Sequence, residues 1–150
     1  MTVDFILESM KAQGRENALR LQEDSGSMTG TELNAAAEVI PEFSKAVKTM
    51  NMLERPIGFV CKSSAGRVVA LLQPYDSDIY TQEPEELPAQ WRFKWSTDPK
   101  KALPFVKMAT SPYNTGDCCT WEGAVYRSKM DNNVFSPAEY PQGWETVTDE

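Results

Sequence analysis

The feature that most constrains this 150-residue chain is a spacing that occurs twice. Pro84, Pro88 and Trp91 recur as Pro137, Pro141 and Trp144, an offset of 53 with the same internal steps. Upstream, an offset of 57 carries Cys61 onto Cys118, Gly66 onto Gly123 and Val68 onto Val125. The difference between the offsets fits into one loop, 74–84 in the first copy against 131–137 in the second. Surface loops tolerate such changes of length. A unit of about 35 residues has little core of its own. Trp91 and Trp144, each at the end of a proline step, are therefore expected to be structural closures packed over a hairpin.

The texture around this frame is β. In the first copy, 57–62 and 67–72 read as strands about a turn at 63–66, and Trp91-Arg-Phe-Lys-Trp95 alternates as a third. In the second copy, strands are expected at 116–120, 124–128 and 144–147, with a tight turn at 121–123. The N-terminal part reads differently. Residues 3–23 carry a thin apolar stripe (Phe5, Ile6, Met10, Leu19, Leu21) suited to a helix capped by Thr2. Thr29 and Glu32 have capping-box spacing ahead of a short helix with Leu33, Ala37 and Ile40 on one side. Residues 42–52 are a further helical candidate, with Phe43, Val47 and Met50 on one face. The expected fold class is α+β: an N-terminal helical segment (1–52) followed by two small, related three-stranded antiparallel β-modules (55–95 and 113–148), joined by a linker (96–112).

Charge and composition narrow the function. The net charge is −7, and the chain has no histidine and no basic stripe. Phosphate neutralisation supplies most nucleic-acid affinity, so no nucleic-acid partner is expected. No apolar run approaches the length of a membrane span, and the acidic start with Asp4 and Glu8 does not read as a signal peptide. Without histidine the commonest general base is missing, and adjacent Cys118 and Cys119 are weak metal ligation; no metal, cofactor or catalytic residue is expected. Glu83, Glu85 and Glu86 lie in a proline-rich loop without the matched carboxylate that glycoside hydrolysis needs, and read as solvated charges. Adjacent strand cysteines face opposite sides, so reduced, partly buried thiols are expected, with a Cys61–Cys118 bridge as the alternative.

The second copy resembles the small chitin-binding-type carbohydrate-binding modules of families five and twelve. The resemblance rests on Tyr113, Gly116-Asp117, Gly123, Tyr126, Pro137 and Trp144-Glu145. Where those modules place an exposed aromatic pair, this chain has 128–135, and Phe135 is the nearest aromatic. The longer arrangement is similar to small tail or baseplate-associated proteins of phages and prophages from Gram-positive bacteria. The residues concerned are the steps Leu71 to Tyr75 and Leu87 to Trp91 and the terminal Tyr113 to Asp117. These resemblances imply a non-enzymatic virion component, made in the host cytoplasm and docked by its N-terminal helices. Its partners would be other tail proteins, further copies of itself and a bacterial surface glycan. The alternative is a free accessory carbohydrate-binding module protein for chitin-like or cell-wall polysaccharide.

Sugar binding needs aromatic faces for pyranose C–H surfaces and amides or carboxylates for hydroxyls. The candidate faces are Trp121, Tyr126, Phe135 and Tyr140, with Trp121 expected to be exposed in its turn. The candidate polar partners are Asp131, Asn132 and Asn133. The same aromatics would equally serve a protein interface or a module core.

Overall fold

In the computed structural model, which describes residues 19–147, short helices lead into two β-sheets, a mixed α and β architecture. Residues 19–24 are helical (α1), followed by α2 (Gly30–Ala35) and α3 (Phe43–Thr49). The first sheet has the order β1 (Val60–Lys62), β2 (Val68–Leu71), β3 (Trp91–Lys94), all antiparallel. The second has the order β4 (Leu103–Pro104), β5 (Cys118–Trp121), β6 (Ala124–Ser128), β7 (Trp144–Thr146). Most of the helix expected over 3–23, with Phe5, Ile6 and Met10, lies outside the described residues.

The helices follow from local chemistry. The capping box forms: Thr29 Oγ1 accepts from the Glu32 N–H, and the Glu32 carboxylate accepts from the Thr29 N–H. Two orphan donors of the first turn are thereby satisfied. The α2 start lies so close to the end of β3 that a Cβ at Gly30 would run into the Trp95 carbonyl. After Ala35 the chain tightens into a 3-10 turn, Ala37–Val39, so the segment expected as one helix is two pieces. β1 is shorter than expected. Gly58 takes φ +93°, a turn returns the Phe59 N–H to the Pro56 carbonyl, and Ile57 is left 72% exposed before the strand begins.

Alternation along the strands gives the first sheet two buried faces. On one, Cys61, Val69, Leu71, Trp91 and Phe93 pack with Phe43 and Ala46 of α3 and with Tyr75. Trp91 is fully buried, donates its indole N–H to the Tyr75 hydroxyl (3.1 Å) and meets Phe43 and Tyr75 edge-on. On the other face, Val60 and Val68 pack with Leu21 of α1, Leu33 of α2 and Ile40. Gln22 of α1 binds β1 with its side-chain amide. Its Nε2 donates to the Val60 carbonyl (2.7 Å) and its Oε1 accepts from the Val60 N–H (2.9 Å).

The segment expected as a linker, 96–112, is built into the structure. Leu103–Pro104 pairs parallel to β5, so the second sheet has four strands where three antiparallel ones were expected. Phe105 and Tyr113 then carry the first core into the second. Phe93, Trp95, Tyr113 and Phe105 stack in succession, with centroids 5.6, 4.2 and 5.4 Å apart and interplanar angles of 25°, 12° and 18°. Offset stacking of this kind adds roughly 0.5–1.5 kcal/mol per pair beyond area burial. Trp144 closes the stack edge-on against Tyr113 and Phe105, and packs with Cys119 and Tyr126. Arg67 makes a second link between the sheets. Its guanidinium pairs with Glu85 (2.7 Å) and donates to the Pro104 carbonyl of β4 (2.8 Å). Glu85 also accepts from the Ser63 hydroxyl, and Glu83 accepts from the Ser64 N–H. Glu83 and Glu85 are therefore not solvated loop charges: they clamp the proline loop to the turn of the first hairpin.

The strand registers relate the two sheets. Adding 57 to β2 and 53 to β3 converts Leu71↔Trp91, Ala70↔Arg92 and Val69↔Phe93 into Ser128↔Trp144, Arg127↔Glu145 and Tyr126↔Thr146, which are the observed pairs of β6 and β7. The first hairpins differ by one residue of register, since Cys61 faces Val69 whereas Cys118 faces Arg127. The cause lies in the turns. The second hairpin closes through Glu122-Gly123 alone, both at positive φ (49° and 84°), the conformation of a two-residue I′ turn; the first uses a longer turn with Gly66 at φ +85°.

All three cysteines are free and buried. The Cys61–Cys118 bridge is not formed: Cys61 packs in the first sheet's core, while Cys118 lies on the other sheet with its thiol against the Thr97 and Gly116 carbonyls. Burial raises the pKa of each thiol, Cys119 to about 12. An unfolded thiol ionises near 8.5. Because the folded values are raised, the stabilisation is complete below that pH and is lost as pH rises through the folded values. The urea midpoint should therefore fall between about pH 8.5 and 11, and a thiol reagent at pH 7.5 should modify the cysteines only after denaturation. Trp95→Ala should cost about 3 kcal/mol in urea unfolding and weaken both sheets in one transition. Two separated transitions would show that the stack does not join them.

Candidate functional site

The sequence-chosen residues fall around the loops that close the second sheet, and the geometry sorts them. Asn133 is completely buried. Its amide donates to Ser128 Oγ and to the Gly143 carbonyl (3.1 Å each), and its Oδ1 accepts from the Phe135 N–H (3.1 Å). Its backbone exchanges two hydrogen bonds with Tyr113 (2.7 and 2.9 Å). Expected as a surface ligand, Asn133 is instead the knot that ties the 128–143 loop to the sheet. Its polar capacity is turned inward, because unpaired buried amides are costly.

Asp131 and Asn132 are exposed. Asp131 accepts from the Thr115 N–H (3.0 Å), a bond that holds its carboxyl below the usual range. The Asn132 N–H donates to the Asn114 side chain (3.1 Å), and its φ of 56° is a left-handed conformation that asparagine tolerates. The Asn132 side-chain amide has no hydrogen-bond partner among the described residues, so of the three polar candidates it is the free one. Beside it, Asp117 accepts from the Asn114 N–H (2.8 Å), and burial raises its pKa.

The aromatics divide as well. Trp121, expected to be exposed in its turn, is half-buried and meets Phe105 edge-on with centroids 5.8 Å apart. The last β5 position, not the turn itself, holds it, so its side chain follows the strand's facing toward the stack. Tyr126 packs at the border of the Tyr113–Trp144 cluster. Phe135 and Tyr140 remain 41% and 40% exposed and form an edge-on pair with centroids 5.8 Å apart. Lys107 lies 6.0 Å over the Phe135 ring and pairs with Glu139 (2.7 Å). The Ser136 and Glu139 side chains each accept the other's backbone N–H, which fixes the loop between the two rings. Below the pair, Trp144 donates its indole N–H to the Phe135 carbonyl (2.8 Å). The outcome is a small aromatic platform with one cation and one carboxylate at its rim, held from beneath by a buried tryptophan. Lys107 was missed by sequence reasoning because it belongs to the 96–112 segment read as a linker.

Among the described residues there is no group of three or more His, Cys, Asp or Glu placed to hold a metal ion, and no helix long and apolar enough to cross a membrane. No family model, curated protein or solved structure matches the chain significantly.

The two neighbouring asparagines should respond oppositely to mutation. Asn133→Ala should lower unfolding stability by about 3 kcal/mol, since it orphans buried partners. Asn132→Gly should change it by less than about 0.5 kcal/mol. Equal effects in urea titrations would contradict this division.

Proposed function

We propose that the protein is a non-enzymatic structural component of a phage or prophage tail that displays two copies of one three-stranded β-module, the second carrying a glycan-contacting platform at Phe135 and Tyr140. The duplication is supported by the shared register of β2/β3 and β6/β7 under the two sequence offsets. It is also supported by the equivalent burial of Trp91 and Trp144 at the first position of each sheet's last strand. The observation that carries the binding reading is the exposed ring pair, rigidly mounted over Trp144 and flanked by Lys107 and Glu139. Rings held this way lose little entropy when a sugar face stacks on them, and the rim charges can bond its hydroxyls. The non-enzymatic reading is supported by the roles of the acidic residues: Glu85 pairs with Arg67, Glu139 with Lys107, and Glu83 and Asp131 hold backbone N–H groups. The virion setting and the docking role of the N-terminal segment rest on the resemblance to tail-associated proteins.

Two measurements test this. Immunogold labelling of purified particles should mark the tail, and absence of label would remove the virion setting in favour of a free glycan-binding protein. Sedimentation with insoluble chitin and with host cell walls should retain the native protein, and Phe135→Ala/Tyr140→Ala should reduce retention by about tenfold, corresponding to one or two lost ring contacts of roughly 1 kcal/mol each. Retention unchanged by the double substitution would remove the platform.

A further inference from the structure

A second concave surface lies along the free edge of β3, away from any residue chosen from the sequence except Asn132. It is a cleft of about 500 Å³ bounded by Arg92, Lys94 and Trp95 of the β3 edge, by Thr110 and Ser111, and by the loops bearing Asn114, Asp117 and Asn132. The volume is within the range of small-ligand sites. Its walls are fixed. The Phe93 N–H donates to Ser111 Oγ (2.9 Å), the Trp95 indole donates to the Ser111 carbonyl (3.0 Å), and the Thr110 hydroxyl donates to the Pro88 carbonyl (3.0 Å). Both faces of Trp95 are covered by Phe93 and Tyr113, so it contributes a wall and no stacking surface.

The polar groups are what distinguish the cleft. Arg92 and Lys94 are two residues apart on one strand, so both side chains leave the same face, roughly 7 Å apart along it. Neither forms an ion pair among the described residues, although the chain as a whole has seven more acidic than basic residues. Lys94 is partly desolvated and sits in the field of Arg92; both effects lower its pKa, burial first. Two adjacent cations, neither ion-paired among the described residues, favour an incoming anion. The remaining groups suit hydroxyls. Among the described residues, the Asn132 side-chain amide and the Asn114 NH2 have no hydrogen-bond partner, and Asp117 uses only Oδ2, leaving Oδ1 to accept.

We propose that this cleft binds an acidic saccharide, with the carboxylate of a uronic acid unit held by Arg92 and Lys94 and its hydroxyls by Asn114, Asn132 and Asp117. The site does not depend on the Phe135–Tyr140 platform, and either can fail without the other. Arg92 offers a planar fork that matches a carboxylate, and Lys94 adds a point charge. A neutral sugar would leave both cations unmatched. Affinity should fall with salt, because the cleft is open to solvent.

Isothermal titration calorimetry of the full chain tests the proposal, with trigalacturonate, neutral maltotriose and inorganic sulfate as ligands. Trigalacturonate should bind, maltotriose should bind at least about tenfold more weakly, and Arg92→Gln/Lys94→Gln should remove about tenfold or more, as expected for lost charge-assisted hydrogen bonds. Phe135→Ala/Tyr140→Ala should leave this affinity unchanged, which separates the two sites. A thermal melt of the Arg92/Lys94 variant at the native midpoint confirms that folding is intact, and Asn132→Gly provides a second variant that keeps the charges and should weaken trigalacturonate while leaving sulfate unchanged. The proposal is overturned if trigalacturonate does not bind, if maltotriose binds equally well, or if the charge-removed variant binds as the native protein does. Sulfate binding as tightly as trigalacturonate overturns the saccharide part.

Discussion

The stack of Phe93, Trp95, Tyr113 and Phe105 is the interaction on which the remainder of the structure depends. Each sheet taken alone has few residues, and a module of that size buries too little apolar surface to be comfortably stable. The stack makes the last strand of one sheet and the first segments of the other share a single aromatic interior. Tyr113 is its pivot. Its ring lies between Trp95 and Phe105, its hydroxyl accepts from the Val106 N–H, and its backbone pairs with Asn133. The position of the loop that mounts Phe135 and Tyr140 is thus inherited from the joint between the sheets. Arg67 supplies a polar counterpart to the same joint, at the cost of a buried Nε without a hydrogen-bond partner among the described residues.

Much of this arrangement is legible in the chain. Strict alternation in 91–95, the turn glycines and the twofold proline–tryptophan frame locate six of the seven strands, and the helical character of 30–49 follows from capping and periodicity. What escaped reading has physical causes. A two-residue parallel strand such as Leu103–Pro104 has no periodicity to detect, and its proline argues against a strand unless the strand is at an edge, which β4 is. Ile57 looks like a strand residue, but Gly58, at positive φ, and Phe59 both hydrogen-bond to Leu71, and this two-against-one irregularity holds off regular pairing until Val60.

The candidate site was legible in part, for a related reason. Composition marks Asp131, Asn132 and Asn133 as one polar loop, yet a single residue of the three carries its amide into the interior. No local rule separates neighbours in a loop, because the distinction depends on which one faces Ser128 and Gly143 across the chain. Trp121 illustrates the same limit: its place beside a tight turn suggests exposure, and the strand's facing overrides it. Arg92 and Lys94 were invisible as a pair with Asn114 and Asn132, since only the folding of two sheets around one interior brings their loops to one cleft.

Gln22 has a consequence of a different kind. By presenting one donor and one acceptor to Val60, its side chain imitates a peptide unit and occupies the place where a neighbouring strand would hydrogen-bond. An open strand border is a template for another chain, and a protein held in many copies at close quarters is especially prone to growth along it. A glutamine delivered from a helix covers Val60, and the Pro41 carbonyl and the Glu42 bridge cover Lys62 beside it. Strand addition at Val60 is thereby blocked, because its N–H and carbonyl are already bonded.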